Sequence, residues 1–226
     1  MLSEIFKLFW KTVERKDARR INSQTPPTEI EQFCDIQYID DGLWQHRLDV
    51  YSKSGKLSHC PVIIDIHGGG WMYGTKEINK NYCLVLAQND YVVVNINYRL
   101  APDFSVADQL RDCFFAFKWV STNIEKYGGD LNNVFVTGDS AGGFLAAYSA
   151  LLNSSEKLRK IFGVTESGLE FRACGLTSPV CFMNTHTFQD VYYSRVKGKE
   201  FSESTLRGFE NFDAVLNKGS MPPTFL

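Results

Sequence analysis

Apolar residues near the start of the chain recur at Leu2, Ile5, Phe6, Phe9 and Val13, with charged residues between them. This spacing lies on one face of a 3.6-residue repeat and predicts an amphipathic N-terminal helix. Pro26-Pro27 ends that region. The pattern then shortens. Residues 33–39 and 47–51 read as two strands around the turn signal Asp40-Asp41-Gly42. Residues 61–66 and 91–96 are short, continuous apolar runs, suited to strands buried on both faces of a parallel sheet. Residues 78–88 between them have helical character. Residues 106–127 predict a longer helix with an aromatic stripe of Phe114, Phe117 and Trp119, which fits packing against a sheet. Gly128-Gly129-Asp130 stops it. A strand follows at 134–137, then a helix at 141–152 that is apolar on nearly all sides and should be central. Residues 171–178 form a further strand. The stretch 185–218 is polar, aromatic and irregular, as in a cap or lid, and 222–226 begin one more strand.

Strands alternating with helices argue for an α/β fold, a mostly parallel central sheet with right-handed crossovers and helices on both faces. No internal repeat or low-complexity tract interrupts it. The expected organisation is a single domain over 1–226, with residues 1–27 as an N-terminal helix or cap and 185–218 as a cap-like insertion.

Composition narrows this picture. With 226 residues, 44% hydrophobic and 22% charged, the chain can bury a sizeable core. A formal net charge of -2 offers no electrostatic argument for nucleic acid. No apolar run reaches the length of a membrane span, and the first residues lack the form of a secretory signal, so the expected location is cytoplasmic, without stable membrane insertion. The N-terminal helix is expected to pack over the mouth of a site; contact with a membrane surface is the other reading. Cys34, Cys60, Cys83, Cys113, Cys174 and Cys181 form no C-x-x-C pair. They are expected to be reduced, buried thiols, with no metal site.

Two motifs carry chemistry. Gly138-Asp139-Ser140-Ala141-Gly142 follows the apolar run Val134-Phe135-Val136 and opens the apolar helix. A G-x-S-x-G at a strand-to-helix turn is the sequence form of a nucleophile elbow, which lifts the serine hydroxyl clear of the backbone. His67-Gly68-Gly69-Gly70-Trp71 follows directly on the strand ending at Ile66. Such a glycine loop can present backbone N–H groups to an oxyanion. The expected donors are the amides of Gly68, Gly69 and Ala141, with Ser140 as nucleophile. The helix N-terminus beside them adds a favourable dipole.

The chain resembles the α/β-hydrolase fold, and within it the hormone-sensitive-lipase-like esterases and acetyl esterases. The matching segments are LDVY (48–51), DIHGGGW (65–71), NYRLAPD (97–103) and GDSAGG (138–143), and the likeness extends from about Tyr38 onwards. The resemblance implies a serine carboxylic-ester hydrolase acting on small or short-acyl esters, with no metal or organic cofactor. It implies Ser140 as nucleophile, Gly68, Gly69 and Ala141 as oxyanion donors, and His67 and Gly70 as residues that orient the loop. NYRLAPD stands where the family has NYRLAPE, so Asp103 is expected as the carboxylate partner of Arg99. His46 and His59 are expected at the surface.

The family's triad order is Ser, then Asp or Glu, then His. The family pattern would place the acid and histidine after the strand that begins at 222–226. His186 is the one histidine after Ser140, and Asp190 and Asp213 are weak candidates for the acid. Three readings stay open: a C-terminally incomplete esterase, an inactive homologue binding acyl ligands or partners, and an enzyme with a rearranged triad. An uncovered sheet edge would favour homo-oligomerisation. An arylformamidase-like amide hydrolase is the alternative activity, since it shares an HGG-x-W loop and a G-x-S-x-G elbow.

Overall fold

The computed structural model describes residues 2–55, 58–183, 189–203 and 206–226. The chain runs through α1 (Leu2–Asn22), β1 (Ile30–Gln37), β2 (Arg47–Lys53), β3 (Cys60–Ile66), α2 (Lys80–Gln88), β4 (Val92–Ile96) and α3 (Val106–Asn123). It continues through β5 (Gly129–Asp139), α4 (Ala141–Asn153), α5 (Glu156–Phe162), β6 (Phe171–Thr177), α6 (Gln189–Glu203), α7 (Phe212–Leu216) and β7 (Thr224–Phe225). The strands form one sheet in the order β1-β2-β4-β3-β5-β6-β7. The β1–β2 and β2–β4 pairs are antiparallel, and every pair from β4 through β3, β5 and β6 to β7 is parallel.

Alternation along β4 explains why its residues are apolar apart from Asn95, whose amide donates to the Lys76 carbonyl at 2.7 Å. Val92, Val94 and Ile96 face the main core with α3 and α4, while Val93 faces a smaller cluster with Tyr51 and with Cys83, Leu84 and Ala87 of α2. Both faces of the strand are covered, so side chains on both are apolar or, like Asn95, hydrogen-bonded. Phe114 and Phe117 of the aromatic stripe are fully buried, and each such burial contributes about 1.5–3 kcal/mol. The helix α4 is buried from Ala141 to Leu152, as expected of a central helix without a polar face. Ser105 and Asp108 form a reciprocal capping box at the start of α3. The helix closes through a 3-10 turn, Ile124–Tyr127, and Gly128 at φ 85°.

Several expectations need correction. The first strand begins at Ile30 and ends at Gln37, with an irregular register between Phe33 and Ile36. The helix α5 is absent from the expected elements, because its seven residues are too few to display a hydrophobic period. Within 185–218 the described residues are largely helical in α6 and α7, with the helical backbone broken at Gly198 (φ 65°). Of the six free thiols, Cys34 is exposed and Cys181 partly so; the other four are buried.

His46, expected at the surface, is only 2% exposed. Its Nδ1 lies 2.7 Å from Asp41 Oδ2 and its Nε2 lies 3.2 Å from Asp112 Oδ1. Arg99 also turns to Asp112 rather than Asp103: its Nη2 donates to Asp112 Oδ1 at 2.7 Å and its Nε to Oδ2 at 2.9 Å. The carboxylate comes from α3, which no local motif could indicate. Among the described residues, no helix is long and apolar enough to cross a membrane.

Candidate active site

Ser140 stands between the end of β5 and the first turn of α4, with φ 52° and ψ -114°. A positive φ at a non-glycine residue costs on the order of 1–3 kcal/mol and persists only where surrounding bonds hold it. Here the Ser140 N–H donates to the Thr177 carbonyl at the end of β6, at 2.8 Å. Its carbonyl accepts from Phe144 at 3.1 Å and Val180 at 3.2 Å. The flanking glycines follow from close approach. A Cβ on Gly138 would meet the Gly142 carbonyl, and one on Gly142 would meet the carbonyls of Ile66 and His67. The spacing G-x-S-x-G is thus a packing requirement between the elbow and the end of β3.

The glycine loop leaves β3 next to this elbow, because β3 and β5 pair in parallel with Ile66 opposite Gly138. Gly69 has φ 116° and Gly70 φ 58°. The Gly68 amide, an expected oxyanion donor, donates instead to Asp139 Oδ1 at 2.9 Å. Among the described residues, the amides of Gly69 and Gly70 donate to no protein acceptor. The Ala141 amide opens α4, where the first N–H groups have no partner within the helix.

His67 is fully buried, stacked on Tyr98 with ring centroids 4.4 Å apart, and its Nδ1 lies 2.7 Å from the Gly68 carbonyl. Burial lowers its pKa to about 4, against the opposing pull of that carbonyl and of Asp139. At neutral pH the ring is therefore uncharged, and the contact identifies Nδ1 as its N–H. The Tyr98 hydroxyl donates to the His67 carbonyl at 2.7 Å.

Behind the loop, Asn79 Nδ2 donates to Asp65 Oδ2 at 3.0 Å and to Asp139 Oδ1 at 2.9 Å. Asp65 is buried at the end of β3; burial, reinforced by the nearby Asp139, raises its pKa to about 7. No sequence signal marked Asn79, an isolated asparagine at the start of a helix.

Two other elements reach the loop. Trp10 of α1 stacks on Tyr73, with centroids 5.4 Å apart and rings 13° from parallel. The Tyr192 hydroxyl of α6 donates to the Gly70 carbonyl. Trp10 and Tyr192 together fill the space a Cβ on Gly70 would need. Arg111 of α3 grips Glu200 of α6 through two bonds of 3.0 and 2.8 Å, which ties α6 to the core. A cleft of about 440 Å³ opens over Ser140, walled by Trp10, Asp17 and Arg20 of α1, by Tyr73 and Asn79, and by the glycine loop. A separate cavity of about 370 Å³ lies between α1 and residues 100–104, also bordered by Trp10 and Tyr73.

None of the three described histidines is placed as a base for Ser140. His67 belongs to the loop, His46 to the Asp41–Asp112 pair, and His59 is exposed before the start of β3. His186 lies outside the described residues. Asp190 and Asp213 sit in the first turns of α6 and α7, and neither lines the cleft.

Comparison with known proteins agrees with this architecture. The BD-FAE family model matches residues 48–188. The isoprenylcysteine α-carbonyl methylesterase ICME of Arabidopsis thaliana is 28% identical over 192 residues, 80% of this chain and 45% of that protein. Carboxylesterase NlhH of Mycobacterium tuberculosis is 34% identical over 145 residues, 62% of this chain and 45% of that protein. The chain thus spans about half the length of these curated relatives. Esterase B from Lactobacillus rhamnosis, inhibited by a C4-C4 SN3 tributyrin phosphonate, superposes with a TM-score of 0.92 at 30% identity, over 99% of this chain and 72% of that one. A bacterial heroin esterase shares the fold, with a TM-score of 0.72 at 19% identity.

Proposed function

This chain belongs to the BD-FAE family and folds as an α/β-hydrolase, and from that premise we propose that it is a serine carboxylic-ester hydrolase with Ser140 as nucleophile. The observation that carries this reading is the elbow itself. A serine in the left-handed region, clamped by three backbone bonds, faces a cleft beside amides with no protein acceptor among the described residues.

Ser140 Oγ attacks the ester carbonyl, the alcohol departs, and water then releases the acid from the acyl-enzyme. The oxyanion formed in both steps is held by the amides of Gly69 and Ala141, joined by Gly70. Gly68 leaves the expected donor set because Asp139 already takes its N–H. His67 orients the loop: its neutral ring braces the Gly68 carbonyl from a buried stack on Tyr98. The 440 Å³ cleft suits small or short-acyl esters, in keeping with the tributyrin phosphonate that inhibits esterase B from Lactobacillus rhamnosis. The acid and base that would activate Ser140 are assigned to none of the described residues.

The test is covalent labelling with a fluorophosphonate, followed by peptide mapping. Slow labelling at Ser140, lost in Ser140→Ala, is the expected result. Labelling that persists in Ser140→Ala, or none in the wild type after prolonged incubation, overturns the assignment. With no base placed among the described residues, turnover of p-nitrophenyl acetate should stay near the residual level of about 10³–10⁴-fold over water that an oxyanion site and binding alone sustain.

A further inference from the structure

Asn79 precedes α2 at the N-cap position, where an asparagine usually accepts a bond from the first helical amides. It makes no such bond. Leaving a cap unmade is unfavourable, so the side chain is held elsewhere by something stronger. Both hydrogens of its amide go to carboxylates: Asp65 Oδ2 at 3.0 Å and Asp139 Oδ1 at 2.9 Å. The same Asp139 oxygen accepts the Gly68 N–H at 2.9 Å. A continuous chain therefore runs from β3 through Asn79 to the residue before Ser140, and from there into the glycine loop. Its geometry is tight, since a Cβ on Gly68 would meet the Asp139 carboxylate and backbone carbonyl.

We propose that Asn79 is a positioning residue for the oxyanion loop: by donating to Asp139 it aims the carboxylate that fixes Gly68, and so sets the direction of the Gly69 and Gly70 amides. Bonds from an amide to carboxylates are charge-assisted and strong for their length. Asn79 lines the cleft without being required to touch the substrate. The inference rests on the proposed esterase reading for its kinetic consequence, whereas the structural consequence is independent of it.

The test uses Asn79→Asp, which keeps the shape but replaces both donors with acceptors, and Asn79→Ala, which adds no charge. Hydrogen exchange of the Gly68 amide, read by NMR, reports the loop directly. It should quicken about 10-fold or more in both variants while circular dichroism stays native. Phosphonylation of Ser140 should slow about 10- to 100-fold, the scale of a misdirected catalytic geometry. In an Asp139→Asn background, Asn79→Ala should have little further effect, because the two residues act in series. Unchanged Gly68 exchange in folded variants, or an equal slowing in both backgrounds, overturns the proposal. If the wild type takes up no phosphonate, the nucleophile reading fails and the exchange measurement alone decides the role of Asn79.

Discussion

The Asp139 carboxylate and the Gly68 amide are joined by a 2.9 Å hydrogen bond that fastens the glycine loop to the residue before the nucleophile. Two motifs 71 residues apart in the chain thereby become one rigid unit. The bond also takes one amide out of the set that could receive an oxyanion.

Strain at Ser140 has a thermodynamic signature. Glycine adopts a positive φ freely, so Ser140→Gly should relieve part of a cost of about 1–3 kcal/mol. Calorimetry should show Tm raised by roughly 2–4 °C for each kcal/mol recovered, together with complete loss of phosphonate labelling. A lower Tm would show that the elbow is unstrained.

Gly142→Ala tests the close approach of the elbow to β3. The added methyl would meet the carbonyls of Ile66 and His67, which are backbone and cannot rotate away. Overpacking of this kind costs about 1–3 kcal/mol, so Tm should fall by roughly 5 °C. A fully native Tm would contradict the packing account of the motif.

Asp112 is fully buried and serves both Arg99 and His46. Asp112→Ala removes the buried carboxylate shared by the buried His46 ring and the partly buried Arg99 guanidinium, a loss of about 3–5 kcal/mol. Chemical denaturation should show a clear drop in midpoint. The exposed Asp103, by contrast, should be replaceable by Asn with little change.

Asp65 predicts a pH dependence of stability. Its folded pKa is raised to about 7 from the ordinary carboxylate value. The folded state therefore binds its proton more tightly than the unfolded chain does. The sign follows: wild-type stability should fall as pH rises from about 4 to about 7, then level off. Asp65→Asn removes that titration, so its advantage over wild type should grow across the same window. Thermal melts of both proteins between pH 4 and 8 read the difference directly, and a constant gap across that range would contradict it.

Trp10 separates the cleft over Ser140 from the 370 Å³ cavity beside residues 100–104. Trp10→Ala should join them. The ratio of labelling by an octyl phosphonate to labelling by an ethyl phosphonate should then rise several-fold, and an unchanged ratio would mean that Tyr73 alone forms the wall.

Much of this was legible from local pattern. The two-sided apolar runs marked β3 and β4, and G-x-S-x-G marked the β5–α4 turn, because strand burial and tight turns constrain residues near one another in the chain. His46, Arg99 and the Gly68 amide were misjudged for the opposite reason. Their partners Asp112 and Asp139 arrive from α3 and from the end of β5, on other elements and from 13 to 71 residues away. Asn79 left no trace at all, since an asparagine at a helix start looks like an ordinary cap.

The α/β alternation, the nucleophile candidate and the glycine loop are written into local pattern, since periodicity and steric limits on a turn act over a few residues. Only folding sets which described amides lack a protein acceptor, which carboxylates serve as anchors, and that α1 and α6 both reach the loop. Those outcomes depend on hydrogen bonds and packing between distant segments, and such contacts exist only once the sheet has brought the strand ends together.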